Sequence, residues 1–393
     1  MAYNPDPRAP MFTNLHYCSR CGMPSTEPKA DFDELGVCVA CRASEQKMHI
    51  DWQARERRLA EILEQFRGKS TSGYDCIVPI SGGKDSAYQL HLIKNVYKLK
   101  PLACTFSHNW FSETGMRNLR WCLETFDVDH VMFTPSRGLV NRCARRSLEM
   151  IGDACWHCHS GVGSYPVQVA VQYKIPLIVY GESAAEKSSH ADYDNLLEYD
   201  EHYFTKISAF YYPEEFATDY LSVRDLSPFK LPPGEELRKL GFYGIHLGNF
   251  IFWDGERQTE FLRDHYGWQE DKVEGTYKCY KSVECRMPGV HDFTKFLKRG
   301  YGRGTDFTSQ DIRAGLMTLE EGNIIAREND PVEPDILEYY LKSTGYTREE
   351  FYRIMDEQRE KVGALTREEI QDALTDAARR KAERLAREAG NDA

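Results

Sequence analysis

Asp75-Cys-Ile-Val-Pro-Ile80 runs directly into Ser81-Gly-Gly-Lys-Asp-Ser86, and a stretch with helical spacing of apolar residues follows from Asp85 to Tyr97. A short apolar run that stops at turn residues predicts a buried strand, and the stretch after it predicts a helix. The hexapeptide therefore sits at a strand-to-helix junction. Two glycines there let the backbone approach an anion closely, and the start of a helix offers unpaired N–H groups to it. Ser81 and Ser86 add hydroxyls and Lys84 a compact positive charge, while Asp85 supplies a carboxylate able to help hold Mg2+ beside phosphates. The spacing excludes a Walker A loop, which has four residues between its first Gly and its Gly-Lys. A Gly-Gly turn can also be purely structural, but Ser-Gly-Gly-Lys-Asp-Ser at this junction points to phosphate binding by Ser81 to Ser86.

Working outward, Pro101 to Phe106 reads as a second strand, Gly115 to Phe126 as a helix and His130 to Thr134 as a strand. Gly163 to Tyr173 follows as a helix and Ile175 to Tyr180 as another buried strand. Strands alternating with helices at this rhythm predict an α/β domain, a parallel sheet covered by helices with its ligand at the carboxyl ends of the strands. Upstream, Trp52, Leu59, Ile62, Leu63 and Phe66 predict an amphipathic helix from Asp51 to Arg67. Residues 185–310 are rich in aromatics, Gly and Pro and have too little periodicity to assign. The end of the chain predicts helices at Glu333–Ser343, Thr347–Val362 and Thr366–Glu388, two of them opening on Thr-Arg-Glu-Glu. The expected organisation is a cysteine-rich segment with an N-terminal extension (1–50), a helix and linker (51–73), the phosphate-loop domain (74–185), the remainder of that domain with a substrate-binding region (186–330) and C-terminal helices (331–393).

The chain has 393 residues, 41% of them hydrophobic and 28% charged, the profile of a globular protein. Its 50 Lys and Arg stand against 61 Asp and Glu, a net charge of -11, which argues against a nucleic-acid grip built on clustered cations. Arg379 to Arg387, interleaved with Glu and Ala, reads as a solvated helix face. No apolar run reaches a membrane span, and Met1 to Thr13, polar with Pro5, Pro7 and Pro10, reads as a disordered start without an export signal. The expected location is the cytoplasm.

In that reducing compartment the 12 cysteines read as metal ligands and buried small hydrophobes rather than disulfides. Cys18-x2-Cys21-x16-Cys38-x2-Cys41 has the spacing of a zinc ribbon, four thiolates closed around one structural Zn2+. Cys155-Trp-His-Cys158-His159 admits several readings. It matches a haem-attachment pattern, which needs an exported chain. A redox dithiol would sit at the first turn of a helix in a thioredoxin-like unit, which is not evident. A second metal or a [4Fe-4S] site would use Cys155 and Cys158 with Cys285 or Cys279, and plain packing beside Trp156 is the simplest alternative. Cys76, Cys104, Cys122 and Cys143 fall in strand or helix patterns and read as core.

The loop at 81–86 resembles the signature of the PP-loop ATP pyrophosphatases. That resemblance implies cleavage of ATP between its α and β phosphates, with Lys84, Asp85 and Ser86 in catalytic roles, adenine over Thr105-Phe106-Ser107 and Gly181-Glu182 in the place of a later phosphate-side motif. Together with Tyr17 to Thr26, Gly36 to Cys41, Ile50-Asp-Trp52 with Arg55, Cys155 to Cys158 and Gly300-Tyr-Gly-Arg-Gly-Thr-Asp306 with Asp311-Ile-Arg313, it is similar to the N-acetyl sugar amidotransferase family over about residues 17–360. The family implies conversion of an acetamido group on a nucleotide-linked sugar into an acetamidino group, during lipopolysaccharide, O-antigen or flagellar glycan synthesis. It implies Mg2+ and ATP, and ammonia from a separate glutaminase through a barrel-type subunit. Leu319 departs from the charged residue expected in Met317-Thr-Leu-Glu-Glu-Gly322. Arg303, in Lys298-Arg-Gly-Tyr-Gly-Arg303, and Arg313 are candidates for the diphosphate or carboxylate of that substrate, since Arg makes bidentate contacts to such anions. A glycine-loosened surface turn is the equal alternative. The rival chemistry is iron-sulfur-dependent thiolation by a PP-loop sulfurtransferase, and a further one is an ATP-binding subunit without turnover.

Overall fold

In the computed structural model the central strands of the α/β unit are buried on both sides because helices cover both faces of the sheet, while the edge strand Asp129–Phe133 is partly exposed. The structure describes residues 3–28, 30–183, 185, 193–194, 204 and 209–391, so the opening of the expected 186–330 segment lies largely outside the described residues. The strands are β1 (Cys76–Pro79), β2 (Pro101–Phe106), β3 (Asp129–Phe133), β4 (Leu177–Tyr180) and β5 (Tyr243–His246). They form a five-stranded sheet in the order β3-β2-β1-β4-β5. Every pairing is parallel, with Ile77 opposite Leu102 on one side and Ile178 on the other. This is compatible with a Rossmann-like domain. The chain leaves β1 in one direction to β2 and β3, then returns to the other side for β4 and β5. The switch of direction beside β1 opens a crevice at the carboxyl ends, where ligands of such sheets bind.

The helices are α1 (Val39–Lys47), α2 (Trp52–Phe66), α3 (Lys84–Leu90), α4 (Glu113–Phe126), α5 (Arg137–Ile151), α6 (Trp156–Tyr173), α7 (Gly234–Leu240) and α8 (Gly255–Tyr266). After them come α9 (Pro288–Arg299), α10 (Arg303–Arg313), α11 (Leu319–Asn329), α12 (Leu337–Thr344), α13 (Arg348–Val362) and α14 (Arg367–Asn391). Because side chains alternate along a strand, Cys76, Val78, Ala103, Leu177 and Val179 pack with α2, α3, α4 and α8. Ile77, Leu102, Cys104 and Ile178 face α6, with Leu237 and Leu240 of α7 at the edge. The four cysteines read as core are buried as expected.

A second core joins α5 to the C-terminal helices through Val140, Leu148, Phe293, Phe296, Tyr340 and Phe351. Thr347 and Glu350 form a reciprocal cap at the start of α13, which is why Thr-Arg-Glu-Glu marks that boundary. The solvated reading of α14 fits its own ion pairs, Arg379 with Asp376 and Glu383. The start of the chain differs from the expectation of disorder. Phe12 is fully buried against Phe296, and Arg327 holds the backbone carbonyls of Asn4 and Ala9. Its prolines and polar residues are consistent with an ordered strap that is tied down by one aromatic and one arginine. No helix among the described residues is long and apolar enough to cross a membrane.

Candidate active site

The loop from Ser81 to Ser86 leaves β1 at the switch point and enters α3, as its sequence requires. Gly82 has φ +86°, and a Cβ there would lie 2.5 Å from the carbonyl oxygen of Gly115, so both backbone angle and space select glycine. The Trp268 indole donates to the Gly82 carbonyl at 3.0 Å. Ser86 Oγ accepts from the Ser81 N–H at 3.3 Å and donates to the Gly83 carbonyl at 2.9 Å, closing the loop on itself. Lys84 is 2% exposed. Its ammonium lies 2.5 Å from Asp85 Oδ1, which also accepts from Trp253 Nε1 at 3.2 Å.

The loop opens onto a cleft of about 820 Å3, a volume that suits a nucleotide-sized ligand. Ser81, Gly83, Lys84, Asp85 and Ser86 form one wall. Lys281, Glu284, Arg303 and Arg313 line the same cleft, as do Cys38 and Val39 of the cysteine-rich segment. Lys281 and Glu284 were not found by sequence reasoning, because they lie on an irregular segment between α8 and α9 with no periodicity. Burial raises the pKa of Glu284, which packs against Gly83. Lys281 Nζ is 3.7 Å from Glu182. Burial, reinforced by the charge of Lys84, lowers Lys281 to about 7.

That value gives a signed pH prediction. Lys281 carries its charge below about pH 7 and loses it above, so if the cleft turns over ATP, kcat/KM for it, which reports the free protein, should fall as pH rises through that range. Arginine stays charged throughout. The Lys281→Arg variant should therefore lose this alkaline limb, and a limb that persists in it would belong to another group.

Arg303 lines the cleft and pairs with Asp292, and its Nη1 is buried without a hydrogen-bond partner. Arg313 also lines the cleft, but its Nη1 donates to Cys21 Sγ at 3.4 Å. Phe106 lies away from the cleft lining. Its ring packs with Phe133, Tyr165 and Phe229 over Gly161. Gly181 is also outside the lining, where a Cβ would press on Trp253 and Gln89, whereas its neighbour Glu182 faces in.

Cys18, Cys21, Cys38 and Cys41 bring their sulfurs within 4.8 Å of one another. The Cys18–Cys41 and Cys21–Cys38 separations are both 3.7 Å. A tetrahedron of sulfurs about 2.3 Å from a zinc ion has edges of about 3.8 Å, so the four buried cysteines can bind a metal such as zinc. Gly22 and Gly36, both at positive φ, make the knuckle turns.

The second pair opens α6, with Cys155 just before its first residue, so it does sit at a helix start, though at one flanking a Rossmann-like sheet. Burial, with Asp153, Cys285 and Cys158 close by, pushes the Cys155 thiol well up. Burial and Cys285 do the same to Cys158. Thus Cys285 accompanies the pair, while Cys279 is exposed. His157 beside them is buried against Trp110, and burial lowers it to about 3.

The chain is similar to two proteins of Methanocaldococcus jannaschii, both described as uncharacterized. One, MJ1016, is 23% identical over 267 residues, 63% of this chain and 89% of the relative. The other, MJ1599, is 28% identical over 113 residues, 28% of this chain and 40% of the relative. Residues 274–375 match the family described as LPS biosynthesis protein WbpG-like, C-terminal domain. The stretch that supplies Lys281, Glu284, Arg303 and Arg313 to the cleft is therefore the one similar to WbpG-like lipopolysaccharide biosynthesis proteins.

Proposed function

We propose that the protein is an ATP-dependent, AMP- and pyrophosphate-forming amidotransferase acting on an N-acetyl group of a nucleotide-linked sugar. The observation that carries this reading is a shared cleft. The two-glycine loop of Ser81 to Ser86 and the WbpG-like stretch, with Lys281, Glu284 and Arg303, line it together. An amide carbon is a poor electrophile with a poor leaving group, and adenylating its oxygen remedies both. The acetamido oxygen attacks the α phosphorus and pyrophosphate leaves. Ammonia then attacks the imidate carbon, AMP leaves with the former amide oxygen, and the product is an acetamidino group. Lys84, with the backbone N–H groups of residues 82–86, offsets phosphate charge in the transition state as fixed dipoles do. Asp85 holds Mg2+ beside the phosphates, Lys281 supplies a second cation and Arg303 orients the substrate's anionic group. Ammonia comes from a partner glutaminase through a barrel-type subunit, and zinc fills the four-cysteine site.

Cys155, Cys158 and Cys285 share one buried cluster, which favours one second reading, a three-cysteine [4Fe-4S] site delivering sulfur to the carbon and displacing its adenylated oxygen as AMP. The experiment that separates them supplies ATP and a di-N-acetylated nucleotide sugar with either ammonium or sulfide. AMP release that depends on the sugar and ammonium, with an acetamidino product by mass, supports amidation. AMP release that needs sulfide and is lost in Cys155→Ser supports thiolation. No AMP release with either donor would overturn both.

A further inference from the structure

The cleft holds a second group of metal-ligating side chains that neither the phosphate loop nor the cysteines account for. Asp153, His159 and His291 each offer one ligand atom, and these atoms lie within 4.8 Å of one another. All three line the cleft. They come from three separate places in the chain, and each is fixed by its own backbone. Asp153 sits in the link between α5 and α6, where its carbonyl accepts from Ser147 Oγ at 2.6 Å and its Oδ1 from the Cys155 N–H at 2.7 Å. His159 is in the opening turns of α6, and His291 is in the first turn of α9. The two imidazole rings are 5.3 Å apart, and His291 Nδ1 is 3.2 Å from Asp153 Oδ1.

We propose that Asp153, His159 and His291 form a binding site for a divalent transition-metal ion, distinct from the four-cysteine site and open to the cleft. Two imidazoles and one carboxylate suit zinc, iron, cobalt or manganese rather than magnesium or calcium, which take oxygen ligands. Ligands about 2.1 Å from a common ion are about 3.0–3.4 Å apart; the Asp153–His291 separation matches this, and the His159 ligand atom lies within 4.8 Å of both. Lys298 and Arg303 are nearby cations; the Lys298 ammonium is engaged by the carbonyls of Ile151 and Gly152 at 2.8 and 3.3 Å, and Arg303 pairs with Asp292. Three protein ligands leave coordination positions open, the pattern of sites that bind an exchangeable oxygen ligand, whereas four thiolates close theirs. Because all three residues line the cleft, an ion they held would be within reach of what the cleft binds. The site does not depend on the amidotransferase reading.

The test is a titration of the full-length protein with Co2+, the four-cysteine site being already filled with zinc. The expected result is roughly one added cobalt, with ligand-field absorption and without thiolate-to-cobalt charge-transfer bands. Affinity should fall by more than about tenfold in His159→Ala and in His291→Ala, and Asp153→Asn should weaken it while keeping an acceptor for the Cys155 N–H. Cys155→Ser should leave it unchanged. Zinc content and thermal midpoint establish that each variant is folded. Absence of added cobalt in folded wild type, binding indifferent to the histidines, or charge-transfer bands lost in Cys155→Ser would each overturn the site.

Discussion

Replacing Lys84 with alanine should lower kcat for AMP release by at least about 10²-fold, about 2.7 kcal/mol of transition-state stabilisation, while leaving the protein folded. Lys84 is 2% exposed, and its ammonium is held 2.5 Å from Asp85 at the start of α3. A cation fixed there needs no reorganisation when charge builds on departing pyrophosphate, which makes it worth more than a mobile surface lysine. The fold should survive because the partner left behind is not stranded. Asp85 keeps the Trp253 indole at 3.2 Å and is about one-third exposed, so water can solvate it. A purely positional role would raise KM for ATP with kcat preserved, whereas an interaction made in the transition state lowers kcat itself. The measurement is AMP and pyrophosphate release under saturating ATP, with the thermal midpoint as the folding control. Unchanged kcat would remove the loop from the chemistry. Arginine is not a conservative rescue, since the space beside Lys84 Nζ is closed by Gly255, where even a Cβ would lie 3.2 Å away.

Which parts of this arrangement could be read in advance follows from how each part is built. The junction of β1, loop and α3 was legible because its signals are local: an apolar run, a positive-φ glycine and a helix start, all within about 20 residues. The helix expected to begin at Gly163 begins at Trp156 instead. Buried His157 and Ser160 lie on its inner side, and polar core residues blur the apolar period. Helix α5 was passed over although Leu139, Val140, Cys143, Ala144 and Leu148 recur at helical spacing, a signal that was present between its arginines. Strand β5 is four residues, one of them Gly244, too short to show alternation. The rest of the cleft lining was the least legible. Arg303 could be proposed from its glycine-rich surroundings, but Lys281 and Glu284 act through burial beside the loop, which only the chain's long-range packing creates. Asp153 belongs to no motif, and it becomes notable only when α6 and α9 bring two histidines to it.

Changing Cys18 to serine should release the bound metal, lower the thermal midpoint and, beyond that, disable the cleft. The cysteine-rich segment has little else to hold it together. Its buried apolar cluster consists of the four cysteines and Val37, with Met23, Phe32, Ala40 and Ile312 partly covering it. Structural zinc contributes about 10–16 kcal/mol of apparent binding free energy in small zinc modules, far more than one buried valine. The loss should not stay local, because the segment is docked on the helix that carries Arg303. Ser309 Oγ donates to the Cys21 carbonyl at 2.9 Å and Arg313 to the Cys21 sulfur at 3.4 Å, both from α10, whose first residue is Arg303. Thr26 and Arg299 exchange side-chain-to-carbonyl bonds at 2.6 and 2.7 Å at the end of α9. Metal analysis, thermal unfolding and AMP release on the same sample separate the steps. Loss of metal with both stability and activity retained would show that the four thiols are not the brace of this helix. Loss of metal with stability retained but activity lost would instead mean that the thiol site is not needed for the fold and acts on the cleft through Cys38, Val39 and the contacted Arg313.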